Sequence, residues 1–469
     1  MKTTVKGNYA EGSISRNIIG LALPIVVAEL VNVLYNIVDR VYIGHIEGIG
    51  TASLTGIGIC MPLISLLSAF AALSGMGGSP IFSIARGHGD EGRAKHILET
   101  DFTMLLINAA ILMFVFVPTK AWCLNILGGD AETLPYAVDY FGIYIWGTPF
   151  VLITLGMNSF INAQGFPKIG MCTVIIGALL NIILDPVFIF VLGMNVQGAA
   201  IATVISQCIS AAWVVRFLLF KAPINISKLR LDVSCAVSIL KLGVTGFTFK
   251  ITNSLTQAVI NITLKAWGGE MATMYIAAMS IVSSLREVTW QPISGVVEGF
   301  KPVASYNFGA RLYDRVRESI KFTLKVALAV GLVLWGLLMV FPAQIAGLFT
   351  DDEELIRICV PCIRSFFCFY FLMCFMSTSQ STFIALNMPK QAVFFSLNRK
   401  VLLIVPLTIF LPYFIGVSGV FWAESISEII GATICFVAMY LTVWRHLGNW
   451  EEYQKEKQSK KKLHVRKEY

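Results

Sequence analysis

Along most of this chain, hydrophobic positions neither alternate with polar ones nor line a single helical face. They fill whole stretches of 17 to 34 residues, broken by short polar turns. Strict alternation would mark half-buried strands, and a stripe at i, i+3, i+4 would mark soluble amphipathic helices. A helix that is apolar nearly all round and about 20 residues long is the length of a bilayer crossing. Twelve segments qualify, at roughly 17–43, 52–85, 102–118, 136–156, 170–192, 198–220, 238–265, 273–305, 321–342, 357–385, 393–414 and 418–443. The pattern predicts an all-α membrane protein of twelve transmembrane helices.

The pattern is also written twice. GGSPIFSIARGHGDEGRA at 77–94 and GFKPVASYNFGARLYDRV at 299–316 align at an offset of 222, pairing Gly77 with Gly299, Pro80 with Pro302, Gly87 with Gly309 and Arg93 with Arg315. The same offset pairs Asp130 and Glu132 with Asp352 and Glu354, and Ala163, Pro167 and Lys168 with Ala385, Pro389 and Lys390. Two six-helix lobes are expected, 1–222 and 223–444, followed by a basic tail at 445–469. Six spans per lobe give both lobes one orientation, so they form a parallel repeat about an axis along the membrane normal. A cavity is expected between them, and KAPINISKLRLDVS at 221–234 is long and polar enough to act as hinge or linker.

Composition agrees: the chain is 56% hydrophobic and 14% charged, against roughly a quarter charged in a soluble domain. The net charge of +8 gains meaning once it is placed. With the N-terminus inside, 27 of the 36 Lys and Arg fall on that side, Arg399 and Lys400 among them, and 3 on the other. That asymmetry puts both termini in the cytoplasm, so the positive charge faces lipid headgroups rather than nucleic acid. The start, MKTTVKGNYAEGS, has no apolar signal core. Ten scattered cysteines form no disulfide framework, and Cys359 and Cys362 read as packing residues without further ligands nearby. A nucleotide-binding G-x-x-x-x-G-K-[ST] and an H-E-x-x-H are both missing, and the five histidines fall in loops, tail or span edges. An enzyme is not expected, nor a resident cofactor.

Charges inside the apolar spans carry the candidate chemistry. Asp185 stands in ALLNIILDPVFIF, with Asn181 four residues earlier on the same face and Pro186 next to it. Asp39 closes the first span, and Thr203 lies in the sixth. Together they make an all-oxygen set suited to a hard cation, or a carboxylate pair that shares a proton. The bland reading is an acid pair neutralised by Arg40. In the second half, Arg286, Glu287, Glu298, Lys301 and Lys250 stand within spans, and Asn158 and Asn162 form an i, i+4 pair in the first. All are candidates to line the cavity, with Glu29 a weaker one; an internal Glu298–Lys301 pair is the competing reading.

NIVDRVYIG at 36–44, GFPK at 165–168, NIILDPVFIF at 181–190, GAAIATVIS at 198–206 and EGFKPVASYNFGA at 298–310 together resemble the multidrug and toxic compound extrusion (MATE) family, closest to its DinF-like and MepA-like branches. The resemblance covers both halves. It implies a bacterial inner-membrane antiporter that exports small organic compounds, often lipophilic cations, against H⁺ or Na⁺. It also implies a coupling site of an acid on helix 1, an Asn and an Asp on helix 5 and a Thr on helix 6, matched by Asp39, Asn181, Asp185 and Thr203. The further acids that NorM-like members carry on helices 7 and 10 have no counterpart, which places coupling in the first lobe. Lys250, Arg286 and Lys301 leave room for an anionic or zwitterionic substrate. The expected protein is a monomer in lipid. The rival readings are a flippase for a lipid-linked precursor in the same superfamily and a membrane receptor or channel without a transport cycle.

Overall fold

The computed structural model describes residues 8–453 and 455, and among these there are twelve helical passes. The first six are α1 (Ile14–Gly44), α2 (Gly50–Gly87), α3 (Glu91–Ile126), α4 (Leu134–Ala163), α5 (Pro167–Val191) and α6 (Asn195–Phe220). The second six are α7 (Val233–Trp267), α8 (Ala272–Gly309), α9 (Tyr313–Val340), α10 (Glu353–Ala385), α11 (Pro389–Ile415) and α12 (Ser418–Thr442). Eleven passes are long and apolar enough to cross a membrane. The exception, α8, is interrupted by Arg286, Glu287, Glu298 and Lys301, for which a cavity provides the reason below. Large apolar side chains such as Phe114, Phe220 and Phe414 point outward, as lipid contact requires and water would not favour.

Local chemistry sets the helix ends. Ser13, Asp90, Asp232 and Asp352 accept hydrogen bonds from the first-turn amides of α1, α3, α7 and α10, satisfying donors that the helix itself leaves open. The repeat is visible at this level too. Asp130 Oδ1 takes the amide of Glu132 at 3.1 Å, and Asp352 Oδ1 takes that of Glu354 at 2.9 Å. Bonds from the Thr133 hydroxyl and amide hold the exposed Asp130 carboxyl below the usual carboxylate range. Turns recur at the offset of 222: Gly89 has φ 77° and Arg311 has φ 59°, while Gly165 has φ 88° and Asn387 has φ 55°. The fourth helix of each lobe contains a 3₁₀ turn, at Ile145–Gly147 and Tyr370–Leu372. The fifth contains a π turn, at Val187–Val191 and Asn398–Ile404.

The lobes meet through glycines that the repeat relates. A Cβ on Gly87 would strike the carbonyl of Tyr306, and one on Gly309 would strike that of Ile84, so α2 and α8 cross at equivalent residues. Gly77 lies against Ile239 and Gly243 of α7, and its partner Gly299 lies against Ile18 and Ala22 of α1. Backbones approach this closely only without a side chain between them. These crossings sit toward the end of the bundle where residue 8 enters. Residues 8–12 tighten that end: Tyr9 Oη donates to Asn162 O at 3.1 Å in the first lobe, and Tyr9 O accepts from Asn307 at 3.1 Å and Arg315 at 3.0 Å in the second. At the opposite end each lobe packs on itself, with Gly56 against Thr133 and Ala137, and Trp267 against Tyr413.

One expectation is narrowed and another corrected. Of the two readings of 221–234, hinge or linker, the linker fits and the free hinge does not: the segment is tied along the first lobe, where Ile224 N donates to Gln164 Oε1 at 3.0 Å, Ser227 N to Glu99 Oε1 at 3.1 Å and Arg230 N to Thr103 Oγ1 at 3.1 Å. Ile224 and Ile226 are buried there, which explains why a polar stretch adheres. Arg399 and Lys400 are not cytoplasmic loop charges: both are buried in the π turn of α11. Within the expected tail at 445–469, Trp450 packs edge-on to Phe308; the stretch 456–469 lies outside the described residues.

Candidate functional site

Two sites emerge, one inside the first lobe and one between the lobes. In the first lobe, α1, α5 and α6 converge and bring Asp39, Asn181, Asp185 and Thr203 together, all buried. Asn181 Nδ2 donates to Asp185 Oδ1 at 3.1 Å and reaches Thr203 Oγ1 at 3.3 Å. The Thr203 hydroxyl donates in turn to Ala199 O at 3.0 Å. The carboxyls of Asp39 and Asp185 lie next to each other, close enough to interact directly. Two bare carboxylates do not share such a contact in an apolar interior; a proton or a cation has to lie between them. Arg40 is exposed and makes no ion pair with either acid among the described residues.

The satisfaction of polar atoms points the same way. Asp39 Oδ1, Asp185 Oδ2 and Asn181 Oδ1 are buried oxygens with no hydrogen-bond partner among the described residues. Buried acceptors are normally paired, so three orphans in one place fit a hard cation or a proton. Sequence reasoning missed the tyrosines around the acids. Tyr140 of α4 is buried near Asp39 and Thr203 and stacks on Tyr144 with ring centroids 6.0 Å apart. Tyr35, four residues before Asp39, lines a small cavity of about 50 Å³ that also touches Asn181 and Thr203. The signal for Tyr140 and Tyr144 was their i, i+4 spacing, though nothing local tied them to an acid a hundred residues away. Among the described residues no three His, Cys, Asp or Glu side chains gather. Cys359 and Cys362 are buried in the core of the second lobe.

Between the lobes lies a cavity of about 710 Å³. Asn158, Asn162, Arg286, Glu287, Glu298 and Lys301 all line it, as do Glu29 and Lys250. Both readings of Glu298 hold at once, since Lys301 Nζ donates to its Oε1 at 2.5 Å while the pair stays on the cavity wall. Asn158 Oδ1 and Asn162 Oδ1 converge on Gly170, which leaves room for both only because it has no Cβ. Met76, Met373, Met376 and Trp290 give the cavity an apolar, adaptable surface. Its size and mixed lining are those of a small-molecule site.

Sequence reasoning also missed a buried ionic cluster in the second lobe. Arg399 Nη1 donates to Glu424 Oε1 at 3.0 Å and to Glu428 Oε1. Lys400 is buried beside them, and Arg286 Nε stands 3.8 Å from Glu424 Oε1. The helix pair α11–α12 is the repeat of α5–α6, and at an offset of 221 Glu424 occupies the place in the second lobe that Thr203 holds in the first, while Arg399 stands about one turn before the equivalent of Asn181.

Known proteins supply an independent comparison. The sequence profile of the MatE family matches residues 24–187 and 251–410. The multidrug export protein MepA of Staphylococcus haemolyticus is 25% identical over 437 residues, covering 92% of this chain and 94% of that protein. MepA of Staphylococcus aureus is 24% identical, with 92% and 95% covered. Among solved structures, the outward-facing conformation of a multidrug resistance MATE transporter superposes with a TM-score of 0.86 at 21% identity, covering 94% of this chain and 98% of that one. A MOP superfamily transporter from Pyrococcus furiosus, described as having a binding pocket of reverse polarity, superposes at 0.89 with 22% identity, covering 96% and 100%.

Proposed function

The chain belongs to the MatE family, and from that premise we propose that it is an antiporter that exports small organic compounds in exchange for H⁺ or Na⁺. It is a multi-pass membrane transporter and not an enzyme. Its relatives named as multidrug export proteins support efflux of drug-like molecules from a bacterium. The single observation that carries the coupling is the contact of two buried carboxyls, Asp39 and Asp185, with three unpartnered oxygens around them. The coupling ion is a co-substrate of this site, held by Asp39, Asn181 and Asp185 with Thr203 fixing the amide of Asn181.

The cycle follows from the two sites and the repeat. The glycine crossings near residue 8 hold the lobes together at that end, so in this reading the cavity opens toward the opposite side. A proton or Na⁺ enters between Asp39 and Asp185 and draws the end of α1 toward α5. Pro24 lacks an amide donor and interrupts the ladder of α1, which lets that helix bend or shift. The first-lobe wall of the cavity moves with it, substrate leaves, and the lobes rock to expose the other face. There the ion is released and substrate binds. The Lys and Arg distribution read from the sequence puts both termini, and so the sealed end, in the cytoplasm of an inner membrane. The protein acts as a single chain.

Purified protein in liposomes with an imposed pH or Na⁺ gradient should export a fluorescent substrate in response to one of the two. Asp39→Asn and Asp185→Asn should each abolish gradient-driven export while the protein still elutes as a folded monomer in detergent. Undiminished export in both variants would remove the coupling assignment.

A further inference from the structure

The ionic cluster of the second lobe gathers Arg286 and Arg399 with Glu424 and Glu428, and Lys400 is buried beside them. Arg399 engages both acids. Lys400 Nζ is fully buried and has no hydrogen-bond partner. Arg286 makes no hydrogen bond to the protein among the described residues: its approach to Glu424 at 3.8 Å is too long for one. Arg286 is therefore the member of the cluster whose guanidinium is left open where the cluster meets the cavity. Arg286 and Arg399 both line the interlobe cavity, and the side chain of Arg286 is 24% exposed to it.

A guanidinium on a cavity wall with no hydrogen bond of its own, a second guanidinium behind it and low-dielectric protein around it, is a built receptor for an anionic group. Arg286 stands fourteen residues into α8, about 21 Å from its start at 1.5 Å per residue, which is near mid-membrane. Trp290, one turn further along α8, and Met373 and Met376 of α10 supply apolar surface to the same cavity. The other acids on the wall do not cancel the cluster. Glu298 is taken up by Lys301. Glu29 and Glu287 remain to meet a positive group on the same molecule.

We propose that Arg286, backed by Arg399, binds a carboxylate or comparable anionic group of the transported compound, so that the cargo includes amphiphilic anions and zwitterions. This rests on the export reading for the word cargo, while the site itself rests on the geometry of the second lobe. Glu424 then acts as the internal competitor that holds Arg286 in position when the cavity contains no anion.

Two dyes of one xanthene skeleton test it: fluorescein, a dianion at pH 8, and rhodamine 6G, a cation. Binding to the purified full chain in detergent is read by fluorescence polarisation, with no ion gradient involved. The native protein is expected to bind fluorescein. Arg286→Gln is expected to lower the affinity for fluorescein relative to rhodamine 6G by at least about tenfold, as loss of a charge-assisted hydrogen bond implies, and Arg286→Lys is expected to restore part of it. Glu424→Gln is expected to act in the opposite sense and strengthen fluorescein binding, which separates a binding role from damage to the fold. No binding of fluorescein to native protein, an equal loss for both dyes in Arg286→Gln, or an unchanged ratio would overturn the proposal. Arg286-dependent binding of short-chain phosphatidylglycerol without binding of fluorescein would give the site to a lipid headgroup and overturn the cargo assignment. Failure of gradient-driven export in liposomes counts against the proposed function and not against this site.

Discussion

At the scale of single residues, the buried charges divide into those that wait for a partner and those that already have one. Asp39 and Asp185 touch yet leave oxygens open, while Arg399 bridges Glu424 and Glu428. Removing one member of a bridged cluster leaves the others buried and unpaired. Arg399→Ala should therefore lower stability by about 3–5 kcal/mol, and Arg399→Met combined with Glu424→Gln and Glu428→Gln should recover most of that loss. Thermal unfolding in detergent, followed for single and triple variants together, gives the comparison. If Arg399→Ala melts with the native protein, the cluster has no structural part. Asp185, Asn181 and Asp39 were legible in the sequence because a carboxylate in an apolar run is conspicuous. Arg399 and Lys400 were not, because they stand nine to eleven residues from a loop, where a basic pair reads equally well as a span edge. Only packing shows that α12 offers them two acids.

At the scale of elements, the fold repeats its irregularities along with its helices. Turn residues with positive φ, 3₁₀ turns and π turns recur in matching helices. A π turn frees backbone groups and often marks a functional segment, and here each one adjoins its lobe's charged site. The repeat itself predicts which substitutions are tolerated. Gly165 has φ 88° where its equivalent Asn387 has φ 55°. Asn accepts this backbone region far better than a β-branched residue does. Gly165→Asn should leave the melting temperature nearly unchanged, whereas Gly165→Val should lower stability by about 1–2 kcal/mol; equal melting of the two variants would contradict the assigned turn. The twelve helices were legible because unbroken hydrophobicity over about 20 residues seldom arises outside a bilayer crossing. The eighth was the least typical, since its polar residues serve the cavity rather than the lipid. The choice between hinge and linker at 221–234 was not legible for a related reason: Glu99 and Thr103 lie on α3, far away in sequence, and nothing local announces that they bind this segment.

At the scale of the whole molecule, alternating access requires the end sealed by glycine crossings to open. A Cβ at Gly243 would overlap the carbonyl of Leu73, so a larger side chain there should wedge α2 from α7. Spin labels introduced as unnatural amino acids at Lys228, on the segment tied to the first lobe, and Glu318, on α9, would report the separation. Gly243→Leu should shift the population toward longer distances and slow export; an unchanged distance distribution would show that the crossing is not the seal. The strapping of 221–232 onto α3 has one more consequence. The peptide bond after Leu231 joins two bodies, one of which already holds the connecting strand by hydrogen bonds of its own. Two separately translated polypeptides ending and beginning near that bond would each keep their internal contacts, and their co-production should rebuild a working exporter from fragments.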